Sequence, residues 1–220
     1  MIKIKQYSHI PIDKGEIIRY MGAGDDSRTL SLIDECLSEL GNKLSFKVCY
    51  DQYPISFENG LINLGFAEVE SNNLCTNLKD CQSIILFAAT IGIEMDRLIA
   101  KYGRLSPVKA LTFQAIGAER IESLCNEFNK EMTLEQRKLG LHTRARFSPG
   151  YGDLKLSSQK DIFRVLDCSR KIGLSLNDSL LMSPSKSVTA IIGVSNIEKN
   201  CNIKGCSSCE KRDCSFRRND

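Results

Sequence analysis

The chain contains no tryptophan and only two histidines, His9 and His142, in 220 residues. So few imidazoles exclude a mechanism that needs several of them. A long apolar run is missing too: no window approaches the roughly 20 residues a helix needs to cross a bilayer. The first residues, Met1-Ile2-Lys3-Ile4-Lys5-Gln6, alternate and lack the apolar core of a signal peptide. A net charge of +3 is too small to argue for nucleic acid or a membrane surface. These absences predict a cytoplasmic protein with neither as partner. With 42% hydrophobic and 26% charged residues, the length suits one fair-sized globular domain or two small ones.

Cysteine is abundant, at ten residues, but unevenly spread. Cys36, Cys49, Cys75, Cys81, Cys125 and Cys168 are scattered, mostly among apolar residues, where a reduced cysteine acts as a small core hydrophobe. Cys201, Cys206, Cys209 and Cys214 crowd the end with four, two and four residues between them. The central C-x-x-C is the usual chelate bite for a tetrahedral metal. The first two spacings match the start of a plant-type ferredoxin run, but the fourth cysteine is too close to complete it. Zinc and an iron–sulfur cluster are both open, beside an unmetallated reduced tail. Composition shifts near Ser195, which divides the chain into a domain at 1–195 and a Cys-rich, metal-binding tail at 196–220.

Along the body, residues 16–22 form a short, partly apolar segment stopped by Gly22. Apolar spacing predicts a helix over 27–40, with Ser27 as cap and Gly41 as terminator. Residues 44–55 read as strand, and Asn59-Gly60 as a hairpin turn. A short helix is expected near 73–78. The apolar run 83–90 suits a buried central strand. Helices follow at 94–102 and from Ser106 to about Met132, with Pro107 in the first turn after a Ser cap. A polar connector at 133–140 and a strand at 141–145 come next. Ser157 or Ser158 should cap a helix from Gln159 to about Ser169. Residues 172–176 and 180–193 read as strands, the latter interrupted by 183–186. This pattern predicts an α+β fold, a twisted and mainly antiparallel sheet with packed helices.

The densest stretch is Arg146-Phe147-Ser148-Pro149-Gly150-Tyr151-Gly152-Asp153. Pro149 biases Ser148 toward extended backbone, while Gly150 and Gly152 permit angles closed to other residues. The chain must turn sharply here, with bare amides and carbonyls beside a guanidinium, a phenol and a carboxylate. Alone, such a turn serves structure as readily as ligand binding.

A second block, Ile172-Gly173-Leu174-Ser175-Leu176-Asn177-Asp178-Ser179-Leu180-Leu181-Met182-Ser183-Pro184-Ser185-Lys186-Ser187-Val188, follows about twenty residues later. In this order the two blocks resemble the activation (reactivation) domain of cobalamin-dependent methionine synthase, with its Arg-x-x-Pro-Gly-Tyr turn and later Met-x-Pro-x-x-Ser-Val segment. The similarity extends over about 16–193, in the manner of free-standing bacterial homologues. The resemblance implies an S-adenosylmethionine site in which Arg146 binds the amino-acid carboxylate. Ser148 through its backbone, Gly150 and Tyr151 would also contact the ligand. It also implies a helix glutamate; Glu122 matches best, ahead of Leu124 and Phe128 on the packed side, with Glu119 as alternative. Where the family continues with aromatic residues, this chain has its cysteine tail.

The implied role is an accessory to reductive remethylation, with no catalytic residue of its own. S-adenosylmethionine would be the methyl donor and the cobalamin would sit on the partner, a methionine synthase or related corrinoid protein. A flavodoxin or ferredoxin would supply a low-potential electron. The alternative is a metal-binding redox adaptor that docks a corrinoid methyltransferase without using S-adenosylmethionine. Among other features, Asp153 is expected to brace the turn, Asp25-Asp26 to mark helix entry, His142 to be structural, and Lys186 to be able to meet an anion.

Overall fold

The computed structural model describes residues 1–58 and 60–198. Strand β1 (Lys3–Tyr7) leads into α1 (Lys14–Met21) and α2 (Ser27–Leu40). Asp13 caps α1 by accepting from the Glu16 amide, and Gly22 closes it at φ +63°. Asp26, rather than Ser27, caps α2: its carboxylate accepts from the Arg28 and Thr29 amides at 2.9 Å each. A carboxylate at a helix N-terminus satisfies the same orphan amides as a hydroxyl and adds favourable charge.

Strand β2 (Phe46–Pro54) is followed by a three-stranded meander of β3 (Ser56–Glu58), β4 (Leu61–Asn63) and β5 (Glu68–Val69). β3 and β4 pair antiparallel with Glu58 opposite Leu61, as the expected hairpin requires. Then come α3 (Asn72–Asn77), β6 (Ser83–Thr90), α4 (Glu94–Leu105) and α5 (Pro107–Arg137). The connector expected at 133–140 is largely helical, because Met132 and Gln136 extend the buried face of α5. Within the helix, Thr133 donates its hydroxyl to the Asn129 carbonyl at 2.8 Å.

Of the strand expected at 141–145, only β7 (His142–Thr143) is regular. The helix expected over 159–169 divides into α6 (Gln159–Leu166) and α7 (Cys168–Ile172), with Asp167 at φ +49° between them. A 3-10 turn at Leu156–Ser158 precedes α6, and neither Ser157 nor Ser158 makes the expected side-chain cap. Ile172, assigned to a strand by its neighbours, ends α7 instead. β8 (Ser175–Leu176), β9 (Met182–Ser183) and β10 (Ser187–Ser195) complete the described chain.

The main sheet runs β1-β2-β6-β10-β7, and every adjacent pair is antiparallel. Side chains alternate between its faces, and both faces are covered. Ile85, Phe87 and Ala89 of β6 join the core under α1, α2, α4 and α5. Ile84, Leu86 and Ala88 join the core under α3, α6 and α7. That double burial explains why β6 reads as an unbroken apolar run. Phe128 locks α5 over the sheet, its ring centroid 5.1 Å from Tyr50 and 4.9 Å from Phe87. Burying such a ring contributes about 1.5–3 kcal/mol. Cys36, Cys49, Cys81, Cys125 and Cys168 are buried in these cores and Cys75 is half-buried, in keeping with their reading as small hydrophobes. No described helix is long and apolar enough to cross a membrane.

Candidate functional site

The turn is fastened at both ends. Phe147 and Ile191 of β10 exchange backbone hydrogen bonds of 2.8 Å, and the Phe147 ring enters the core beneath α6 and α7. The next side chain back, Arg146, emerges on the other side and lies against α5. At the far end, the Asp153 carboxylate accepts from the Ser71 hydroxyl, the Asn72 amide (2.7 Å) and the Asn73 amide (3.2 Å) at the start of α3. Between these anchors the Tyr151 amide donates to the Ser148 carbonyl (3.1 Å) and the Gly150 amide to the Leu154 carbonyl (2.9 Å). Gly150 has φ +88° and Gly152 φ +56°, a region that costs other residues roughly 1–2 kcal/mol. At Gly152 a Cβ would also lie 2.5 Å from Asn73 Nδ2.

This network holds the Asp153 carboxyl below its ordinary value, chiefly through the Ser71 hydroxyl and then the Asn72 and Asn73 amides. A carboxyl depressed on folding stabilises above its unfolded pKa, and the contribution disappears as pH falls through the folded value. Asp153→Asn is therefore expected to lower the melting midpoint at neutral pH. In circular dichroism melts the gap to wild type should close as pH drops through the carboxylate range. A gap independent of pH would reject the account.

Arg146 meets one expected companion, Glu122, and one that was not expected, Asn126. Its Nη2 forms an ion pair with Glu122, and its Nη1 donates to Asn126 Oδ1 at 2.8 Å. Turning the Asn129 amide lets its oxygen accept from the same Nη1 at 3.1 Å, while its nitrogen donates to the Cys125 carbonyl at 3.3 Å. Glu122, Asn126 and Asn129 stand at i, i+4 and i+7, one polar line along α5. Cys125 lies beneath them, its thiol pushed up to about 12 by burial, so it stays neutral beside the pair. Tyr20 of α1 borders the same carboxylate: burial, and then the charge of Glu122, raise its phenol above the ordinary value.

The remaining expected contacts share the turn. Tyr151 is 46% exposed and sets its ring edge-on to Phe147, with centroids 5.3 Å apart. The Ser148 carbonyl is engaged by Tyr151, whereas its amide carries no hydrogen bond among the described residues. Among the described residues, then, the Ser148 amide is an uncommitted donor two positions from Arg146. Glu119, the alternative glutamate, is 1% exposed and bonds Arg120, the Asp13 amide (3.0 Å) and the Ser123 hydroxyl (2.6 Å), so it belongs to the packing of α5. Sequence reasoning missed Asn126, Asn129 and Tyr20. The spacing of the two asparagines from Glu122 was their only signal.

Lys186 reaches the same helix about two turns toward its N-terminus, donating to Gln114 Oε1 at 2.6 Å. Its stem crosses Gly117, where a Cβ would lie 2.8 Å from Lys186 Cε. Burial holds its ammonium below the ordinary lysine value. Cys201, Cys206, Cys209 and Cys214, the expected metal ligands, lie outside the described residues.

A double-sided antiparallel sheet thus presents an arginine turn against a long helix. The chain matches the family described as vitamin B12 dependent methionine synthase, activation domain, over residues 75–217, and it belongs to that family. Its fold is similar to one in a crystal structure of the MetH reactivation domain bound to AdoHcy. The TM-score is 0.65 at 15% identity, over 90% of this chain and 80% of that one. Comparison with curated proteins gives no match.

Proposed function

We propose that the chain binds S-adenosylmethionine at the Arg146 turn and acts as a separate reactivation partner for a cobalamin-dependent methionine synthase. The observation that carries this reading is the ion pair of Arg146 with Glu122, on a guanidinium that also donates to Asn126. An α-amino acid is a zwitterion. Its carboxylate suits a planar guanidinium that can bind two oxygens at once, and its ammonium suits the glutamate. The resting pair is therefore chemically complementary to the amino-acid end of the ligand. Tyr151 adds an exposed aromatic surface in the same turn, packed on Phe147. Family membership and the AdoHcy carried by the similar MetH domain support the same ligand class.

In this reading the residues bind and orient, and the chemistry belongs to the ligand and the partner's corrinoid. Bound here, S-adenosylmethionine would supply the methyl group, and a low-potential donor of flavodoxin or ferredoxin type the electron, for reductive remethylation of the partner's cob(II)alamin. Calorimetric titration with S-adenosylmethionine tests the reading: saturable one-to-one binding is expected, and its absence would favour an adaptor that docks without the methyl donor.

The tail belongs to the same proposal as a metal site formed by Cys201, Cys206, Cys209 and Cys214, supported by their spacing. Protein expressed anaerobically should carry stoichiometric zinc, or iron with sulfide. Iron with sulfide would make the tail an electron relay; colourless, zinc-loaded protein would make it structural; metal-free protein would remove the site.

A further inference from the structure

We infer that Asn126 is a positioning residue that orients Arg146 for the ligand's carboxylate, while leaving the guanidinium its charge. The inference rests on the binding reading proposed above. Arg146 has three nitrogens with which to meet the ligand and the helix. Nη2 is held by Glu122 and Nη1 by Asn126, with the Asn129 oxygen able to share the latter. Holding the planar group at two corners fixes its plane, which matters because bidentate recognition depends on orientation as well as charge.

The identity of the second acceptor is the informative part. An amide oxygen accepts a hydrogen bond without bringing a net charge. Glu122 can exchange its interaction with Arg146 for one with the ligand's ammonium. Asn126 has no such exchange to make, so it can keep its hydrogen bond in both states. A carboxylate at 126 would give Arg146 a second anionic partner and set it against the incoming carboxylate. The fold makes no visible demand for an asparagine there. Its side chain is exposed on α5, and among the described residues its side-chain hydrogen bond is the one to Arg146.

Asn126→Asp tests this with almost unchanged shape. Binding of S-adenosylmethionine and of 5′-methylthioadenosine, which lacks the amino-acid end, would be measured calorimetrically for wild type, Asn126→Asp, Asn126→Ala and Arg146→Ala. Asn126→Asp is expected to weaken S-adenosylmethionine by about tenfold or more, as a charged hydrogen-bonding contact would, and more than Asn126→Ala. Methylthioadenosine affinity should be unchanged. Raised salt should recover part of the Asn126→Asp loss by screening. If Arg146→Ala loses S-adenosylmethionine while Asn126→Asp binds like wild type, Asn126 positions nothing. Equal loss of both ligands would show general damage to the site and also overturn the inference. Failure of the wild-type protein to bind S-adenosylmethionine would instead remove the binding reading, and this inference with it.

Discussion

Arg146→Ala is expected to weaken S-adenosylmethionine binding by about 30- to 1,000-fold, the range for losing a desolvated charged contact of roughly 2–4 kcal/mol. Two effects act in the same direction. The ligand carboxylate loses its guanidinium at this turn, and the site loses the positive charge that offsets Glu122 near that carboxylate. Arg146→Lys should recover little, because an ammonium cannot reproduce the fork. Folding should be nearly untouched: the side chains of Arg146 and Glu122 are 21% and 37% exposed. Such half-open pairs contribute little to stability after solvent screening. Calorimetry paired with a thermal melt separates the two outcomes. Wild-type affinity in Arg146→Ala would place the ligand elsewhere, and a large loss of melting temperature would make the arginine structural.

The turn is legible in the sequence because its chemistry is local. Pro149, Gly150 and Gly152 declare a backbone that leaves regular structure, and the structure shows positive φ at both glycines. β6 is legible for a similar reason, since burial on both faces leaves no polar position in its interior. Helix caps and breaks were less readable. Asp26 and Ser27 are both good capping residues, and adjacency alone cannot choose between them. The break at Asp167 depends on a left-handed residue that no nearby glycine announces. The site itself was half visible. Arg146 and Glu122 stood out through the resemblance, but Asn126 and Tyr20 act through neighbours 20 and about 100 positions away, respectively. Long-range proximity of that kind is created by packing both α1 and the turn against α5.

Glu119 and Glu122 sit three residues apart on one helix, yet substitutions should separate them cleanly. Glu119→Ala is expected to destabilise the fold by about 3–5 kcal/mol, the cost of breaking a buried ion pair and stranding its partner. Glu119 and Arg120 have side chains 2% and 3% exposed. Arg120 also donates to the Ile10 and Pro11 carbonyls, and Glu119 accepts from the Asp13 amide. Together they pin the segment leading into α1 onto α5. Without Glu119, Arg120 would keep its charge in a site that water cannot reach. Glu122→Gln removes a charge from a more open position and should change stability by less than about 1 kcal/mol. Its effect should appear in ligand affinity instead, through the lost partner for an ammonium. Urea unfolding of both variants decides the matter. A Glu119→Ala protein as stable as wild type would show that the buried pair does not hold α1 in place. The contour of the site, with Tyr20 set beside Glu122, would then need another support.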